Sequence, residues 1–222
     1  MRNSGWTKMG GWLLSCLVIA ALVAPVTSAD EPGISLRWAL GAWDDDGADL
    51  YSIQRDTKLA AGTRLKFLVE PTSPSTVYLV LQDNEQVIHV LYRETSEATR
   101  DEQGKPTYIP PGGKYFELDD AAGLNTFFLI ASAEPLVELE NLLDGYESAE
   151  VEAAKTELVD RIIGEIRKQH KAHRNFARPV EKPVMIGGQT RDATTSLNEA
   201  VDRLAIEVTA GGFYAKTITI DR

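Results

Sequence analysis

The residues that could do chemistry begin with two histidines near the end of a long helical segment. His170 and His173 are three residues apart, so a helix would place both imidazoles on one face, where they could bind a divalent metal. Ile166 and Arg167 occupy the positions one turn earlier, and neither can act as a third ligand. The HExxH pattern is absent. We therefore predict no metal site, and we keep His170 and His173 as the candidates for a metal should one bind.

The remaining histidine, His89, alternates with Val87 and Leu91 along an apolar segment. A strand there would carry the three side chains on one face, and an imidazole in such a place could act as a general base. The sequence places no nucleophile and no second ligand beside it. We interpret His89 as a strand histidine at the edge of a core or at the surface.

Two groups of carboxylates invite a calcium-binding or a catalytic interpretation. Residues 44–47 read DDDG, but aligning this glycine with the calcium loop puts Ala42 and Ile53 at the first and twelfth ligand positions. Neither residue binds calcium. Asp119 and Asp120 are adjacent, and adjacent strand residues point to opposite faces, so they would not act together on one bond. We expect both groups to lie in turns.

Several enzyme classes leave a local signature that this chain lacks. There is no GxSxG nucleophile elbow, no SxxK pair, no phosphate-binding Walker loop and no CxxC pair. These absences weigh against hydrolases and phosphotransferases that carry such motifs, and we expect no cofactor. A catalytic site assembled from scattered residues stays open.

The start of the chain has the pattern of a secretory signal peptide. Arg2 and Lys8 precede an apolar run, Trp12–Val26, and small residues follow as far as Ala29. The run is shorter than the roughly 20 residues that span a bilayer. We predict that residues 1–29 are removed on export and that the mature protein is periplasmic.

Cleavage would remove the one cysteine and make the charge more negative. Without Cys16 the mature chain has neither a disulfide nor a thiol nucleophile; lipidation of Cys16 stays open as an alternative. Loss of Arg2 and Lys8 leaves 21 of the 23 basic residues against 33 acidic ones, a net charge of −12. Such a surface repels phosphates. We expect no nucleic-acid partner, and no membrane span after cleavage.

The remaining chain, residues 30–222, predicts a single β-rich domain. The composition of the full sequence, 43% hydrophobic and 25% charged, is typical of globular proteins. Residues 76–81, TVYLVL, are apolar at alternate and intervening positions, which predicts a central strand covered on both faces. The predicted fold class is mainly β with an α insertion: a β-sandwich-like domain interrupted by a helical excursion.

That excursion covers residues 135–174, where apolar residues recur at steps of three and four. Gly145 is predicted to end a first helix, before a longer one over residues 148–173. A loop over residues 175–195 and a C-terminal β-hairpin over residues 204–221 complete the predicted domain. One hypothesis is that the apolar stripe of the long helix exceeds what the domain covers and suits a protein partner.

Three runs of residues 53–137 read LAAGTRLKFLVEPTSPSTVYLVLQD, YIPP and YFELDDAAGLNTFFLIASAEPL. In these runs, residues 53–137 resemble the Domain of Unknown Function 4384 family. The matched positions are Leu59, Gly62, Leu65, Phe67, Tyr78, Pro110, Phe116, Gly123 and Ser132. The chain departs from the family at Glu85, where a glycine is frequent, and in its long helix. The resemblance implies a bacterial β-rich module that accompanies peptidases, kinases or envelope proteins, and it carries over no catalytic residue.

Three functions follow as hypotheses from these observations. The first is an exported, non-catalytic binding or accessory module of the bacterial cell envelope with a protein partner. The second is a hydrolase or metal-dependent enzyme that uses dispersed carboxylates with His89, or with His170 and His173. The third is a structural subunit of the envelope.

Overall fold

The alternating apolar residues of the predicted strands build two β-sheets that pack face to face. A computed structural model describes residues 33–44, 50–97, 104–173, 179–183 and 196–222. The predicted signal peptide and Cys16 lie outside these residues. The prediction of a mainly β, sandwich-like fold with a helical excursion is confirmed.

The described residues contain twelve strands and three helices. The strands are β1 (Gly33–Trp43), β2 (Tyr51–Ser52), β3 (Thr57–Lys58), β4 (Arg64–Pro71), β5 (Ser75–Gln82), β6 (Ile88–Ser96), β7 (Thr107–Ile109), β8 (Phe116–Glu117), β9 (Leu124–Ser132), β10 (Val180–Pro183), β11 (Ile206–Gly211) and β12 (Phe213–Asp221). The helices are α1 (Val137–Ser148), α2 (Glu152–Ala172) and α3 (Leu197–Asp202).

The strands form two sheets, A and B. Sheet A has the order β10-β11-β1-β4-β7, with β2 added on β1 and β8 on β4. Sheet B has the order β3-β12-β9-β5-β6. Its neighbours are antiparallel except β3 and β12, which run parallel. Strands β7 and β6 therefore end the two sheets, a placement that matters for the candidate site.

The space between the sheets holds the main core and one buried hydrogen-bond chain. Trp38 on β1 and Tyr214 on β12 face each other, and the indole Nε1 donates to the tyrosine hydroxyl over 3.1 Å. The same hydroxyl donates to the carboxylate of Glu181 on β10 over 2.9 Å. Burial, reinforced by Glu181, raises the pKa of Tyr214. The hydroxyl thus stays protonated and connects the two sheets.

Helices α1 and α2 cover the outer face of sheet B, as the apolar character of both faces of β5 requires. The hydroxyl of Tyr78 on β5 accepts from the backbone N–H of Leu136 and donates to Glu140, both over 2.9 Å. This pair of bonds fixes the start of α1 on the sheet. Among the described residues, no helix is long and apolar enough to cross a membrane.

The apolar stripe of α2 is mostly covered by the domain, which contradicts the hypothesis that it exceeds what the domain can bury. The buried stripe residues are Val159, Ile162, Ile163 and Ile166. Of the residues of the predicted stripe, Val151, just before the helix, and Ala154, in its first turn, are exposed.

The prediction that Gly145 ends the first helix is wrong, because α1 continues to Ser148. Tyr146 is buried, and its hydroxyl accepts a hydrogen bond from the backbone N–H of Ile88 over 3.1 Å. This tertiary contact outweighs the modest cost of a glycine inside a helix, roughly 1 kcal/mol relative to alanine.

The prediction of a C-terminal hairpin over residues 204–221 is wrong, although both strands are present. Strand β11 pairs in sheet A with β1 and β10, whereas β12 pairs in sheet B with β9 and β3. Gly212, at a φ of 75°, lets the chain turn from one sheet into the other. A glycine between two consecutive strands is therefore compatible with a change of sheet as well as with a hairpin.

The predicted loop over residues 175–195 contains a strand that sequence patterning missed. The backbone of β10 pairs with β11 from Val180 opposite Thr209 to Pro183 opposite Ile206. The strand is four residues long and ends with a proline at the edge of the sheet, so it has no clear alternation. Apart from Pro179, the rest of the predicted loop lies outside the described residues.

The first prediction concerns the C-terminal strands. Deleting residues 205–222 removes β11 and β12, so β1 loses its pairing with β11 and β9 loses its pairing with β12. We expect the truncated chain to lose soluble folding, measured as soluble yield and the melting transition by circular dichroism. Deleting Arg222 alone is the control. An unchanged melting transition in the long truncation would contradict the assigned sheet order.

The second prediction concerns the hydrogen-bond chain between the sheets. Tyr214→Phe leaves the buried indole N–H of Trp38 without its acceptor, which costs about 1–3 kcal/mol of unfolding free energy. Tyr115→Phe removes a hydroxyl from a ring that is 39% exposed and should change stability by less than about 0.5 kcal/mol. Urea unfolding of both variants measures the difference. Equal stability of the two would show that the Trp38 contact is unimportant.

Candidate functional site

A cleft opens on the side of the sandwich where β6 ends sheet B and β7 ends sheet A. We name it the edge cleft and define it by Tyr92, Glu94, Thr107 and Tyr108, with prolines from the adjoining turns. The prolines are Pro71, Pro106 and Pro111. Its volume is about 780 Å³, within the range of roughly 300–1,000 Å³ that is usual for ligand sites.

Tyr92 reaches the cleft because β6 contains an irregularity. Leu79 pairs with Tyr92, but the next residue, Val80, pairs with Val90, so one extra residue lies in β6. Residues opposite each other share a face of the sheet. Tyr92 therefore lies on the same face as Leu79, which is in the core between the sheets.

The hydroxyl of Tyr92 is held at the wall of the cleft. It donates to Oε2 of Glu94 over 2.9 Å. Burial raises the pKa of Tyr92, and the Glu94 carboxylate raises it further, while the side chain of Thr107 on β7 acts in the opposite direction. The hydroxyl stays protonated at neutral pH, and the oxygens of Glu94 give the cleft an acidic wall.

Tyr108 forms the opposite side of the cleft on the outer face of sheet A. It pairs with Leu68 of β4 and packs against the small cluster that α3 buries on that face. Burial raises the pKa of Tyr108, with Asp202 adding to the shift. The cleft thus presents one tyrosine from each sheet, both in the neutral form.

The turn that carries Pro111 is held by a buried lysine. Lys66 on β4 is fully buried, and its Nζ donates to the carbonyl oxygens of Pro110, Gly112 and Lys114 over 2.9, 2.7 and 2.6 Å. Burial lowers the pKa of Lys66. The three carbonyl acceptors satisfy an ammonium group, so this lysine organises the turn rather than facing the cleft.

An ion cluster lies behind the cleft and holds α3 on sheet A. Arg37 donates to Glu70, which is 4% exposed, and to Asp202 over 3.0 Å. Burial raises the pKa of Glu70, and Arg37 opposes that shift.

Gly104 packs on the end of β4, where an added Cβ would clash with the carbonyl oxygen of Pro71. Only glycine permits this close approach.

The structure gives the two candidate metal ligands different surroundings. His173 stacks on Phe213 with ring centroids 4.2 Å apart, and its Nδ1 donates to the carbonyl oxygen of Gln169 over 2.8 Å. His170 is exposed and lines a groove against sheet B. Among the described residues, no group of three or more His, Cys, Asp or Glu side chains is arranged to hold a metal ion.

His89 lies at the surface of the β5–β6 hairpin, with its side chain 46% exposed. Its Nε2 lies 2.7 Å from Oδ2 of Asp83, and the other oxygen of Asp83 accepts from the backbone N–H groups of Glu85 and Val87. The sequence interpretation of a surface strand residue agrees with this position. The sequence does not predict Asp83 as its partner, because Asp83 is six residues away and is brought to His89 by the turn of the hairpin.

The adjacent acids Asp119 and Asp120 lie in a turn and contact Arg222. Asp119 accepts from Arg222 over 3.2 Å, and Asp120 lies 4.0 Å from the same guanidinium, so the two acids bind the C-terminal residue. Asp119 also accepts from the backbone N–H of Ala121, as the predicted turn requires. Of residues 44–47, only Asp44 is among the described residues.

Sequence reasoning missed the cleft residues Tyr92, Glu94 and Tyr108. The available signal was a pair of tyrosines at the two ends of a polar segment, residues 94–105, between two strands. That pattern shows that the segment leaves and rejoins the fold. It does not show that β6 and β7 end different sheets at the same side.

The third prediction tests metal binding at the histidine pair. The stacked ring of His173 is committed to Phe213, so we expect zinc, nickel and calcium to leave the melting temperature unchanged. A saturated site at a hundredfold excess over its Kd would add about 2.7 kcal/mol of stability, an easily measured shift. A saturable rise that disappears in a chain with His170→Ala and His173→Ala would favour the metal-dependent enzyme.

The edge cleft is lined by two tyrosines, the carboxylate residue Glu94 and three prolines. These groups suit a ligand that is partly apolar and carries hydrogen-bond donors or a positive charge. Comparison of the chain with protein-family models, with curated proteins and with solved structures gives no match.

Proposed function

We propose that the protein is an exported, non-catalytic binding or accessory module of the bacterial cell envelope, and that it binds its partner in the edge cleft. The observation that carries the proposal is the convergence of Tyr92 and Tyr108, from the ends of two different sheets, on one cleft. Aromatic residues provide large contact areas at a low entropic cost. A site that joins two rigid sheets is also preorganised for its ligand.

The ligand that fits this lining is an extended, proline-containing segment of a partner protein. Tyrosine-lined grooves recognise polyproline II segments, which bind with little loss of conformational entropy. The carboxylate of Glu94, which accepts a hydrogen bond from Tyr92, can pair with a basic residue of the segment. The partner is therefore expected to carry a lysine or arginine beside its prolines.

Export and family likeness support the proposal from the sequence. The signal-peptide pattern of residues 1–29 favours a periplasmic protein. The resemblance of residues 53–137 to the Domain of Unknown Function 4384 family favours an accessory role beside an enzyme or envelope protein. Membership of that family is itself part of the proposal, because no family model matches the chain.

A hydrolase is the second candidate function, and the observation that favours it is the pair formed by Asp83 and His89. A carboxylate bonded to an imidazole can orient it as a general base. Within the described residues, however, no serine or threonine hydroxyl is hydrogen-bonded to His89. The third candidate, a structural envelope subunit, would be distinguished from a monomeric binder by its assembly size.

The fourth prediction tests the cleft in living cells. A photoreactive phenylalanine analogue in place of Tyr108 should crosslink to a specific envelope protein, because that ring lines the cleft. The same analogue in place of Tyr51, which is 38% exposed on β2 and outside the cleft, is the matched control. Mass spectrometry of the crosslinked bands identifies the partner.

The result expected is one partner that crosslinks from position 108 and not from position 51. Glu94→Gln should weaken that crosslink, since the variant removes the charge that pairs with a basic residue. Recovery of no specific partner, or of the same proteins from both positions, would contradict the proposed function.

A further inference from the structure

A second concave site lies between the C-terminal half of α2 and the outer face of sheet B, separate from the edge cleft. Its volume is about 250 Å³. Phe128 and Ile130 on β9 and Ile166 on α2 form its apolar part. We name it the helix–sheet groove. Beyond these residues the outer face of the sheet changes from apolar to polar.

The polar part is a row of side chains across three neighbouring strands. Gln82 on β5 lies opposite Thr126 on β9, and Thr126 lies opposite Thr219 on β12. Thr217 is two residues before Thr219, so it points to the same face. No hydrogen bond engages the hydroxyl groups of the three threonines within the described part of the chain. They are available as donors to a ligand.

Two basic side chains of α2 lie over this row. Arg167 and His170 are three residues apart on the helix and both line the groove. Neither makes an ion pair or hydrogen bond with any other described residue. Lys216 also lines the groove, but its Nζ lies 3.4 Å from Glu181 on the other side of the sheet.

The charge of the groove is opposite to that of the whole chain. None of the described residues that line it is an aspartate or glutamate, whereas the full sequence has a net charge of −10. A guanidinium without an acidic partner, an imidazole and hydroxyl donors that converge in one groove form an environment for negative charge. The net negative charge already favours solubility, so solubility does not account for a basic groove.

We infer that the helix–sheet groove binds a small oxyanion, a phosphate or carboxylate group. The guanidinium of Arg167 can donate two parallel hydrogen bonds to such a group, and the threonine hydroxyls supply donors from the sheet. A volume of about 250 Å³ is below the roughly 300–1,000 Å³ of sites for drug-sized ligands. The ligand is therefore a small anion rather than a nucleotide.

Isothermal titration of the mature protein with inorganic phosphate, and separately with succinate, tests the inference at constant ionic strength set with chloride. Arg167→Gln should weaken binding about tenfold or more, since it removes a charge-assisted contact. Lys171→Gln is the control. It also removes one positive charge from α2, but Lys171 lies one helical turn after Arg167 and does not line the groove. It should change the Kd less than about twofold.

A further variant separates a built site from a lone cation. Thr126→Val keeps the shape of the side chain and suits a strand, but it removes the central hydroxyl of the row. We expect it to weaken binding several-fold with the melting temperature unchanged. Preference for phosphate or for succinate identifies the type of oxyanion. Absence of binding by both anions, equal effects of Arg167→Gln and Lys171→Gln, or no effect of Thr126→Val would each overturn the inference.

Discussion

Sheet B must be covered on both faces, and this requirement accounts for the placement of most other elements. Tyr78 and Val80 of β5 point to one side, and Val77 and Leu79 point to the other, and all four are fully buried. Sheet A covers the inner side. The helical excursion between β9 and β10 covers the outer side, so α1 and α2 are part of the fold rather than an appendage.

The two concave sites lie where one layer of the fold stops covering the next. At the side of the sandwich, β6 and β7 end their sheets, and the edge cleft lies between residues of both. On the outer face, α2 covers Phe128 and Ile130 but not the row of polar residues beside them. Ligand sites in layered proteins commonly form at such margins, where the rigid layers hold side chains that do not serve the core.

The sequence predicts burial better than it predicts strand partners. Residues 76–81 are correctly predicted as a strand covered on both faces, because apolar residues at consecutive strand positions require cover on both sides of the sheet. The turn at Gly212 is compatible with a hairpin and with a change of sheet, and alternation cannot distinguish them. The edge cleft was not predictable for the same reason. Tyr92 and Tyr108 are brought together by the order of strands, which local patterns do not encode.

Among the described residues, β6 pairs only with β5 and so has a free edge. Its charged residues bear on how the protein behaves at high concentration. Arg93 donates to Asp144 over 2.6 Å and lies 3.6 Å from Glu147, so α1 holds the middle of this strand. Glu94 follows directly, with its carboxylate bonded to Tyr92. Docking the edge of a second molecule there would desolvate these charges, which disfavours strand-to-strand aggregation.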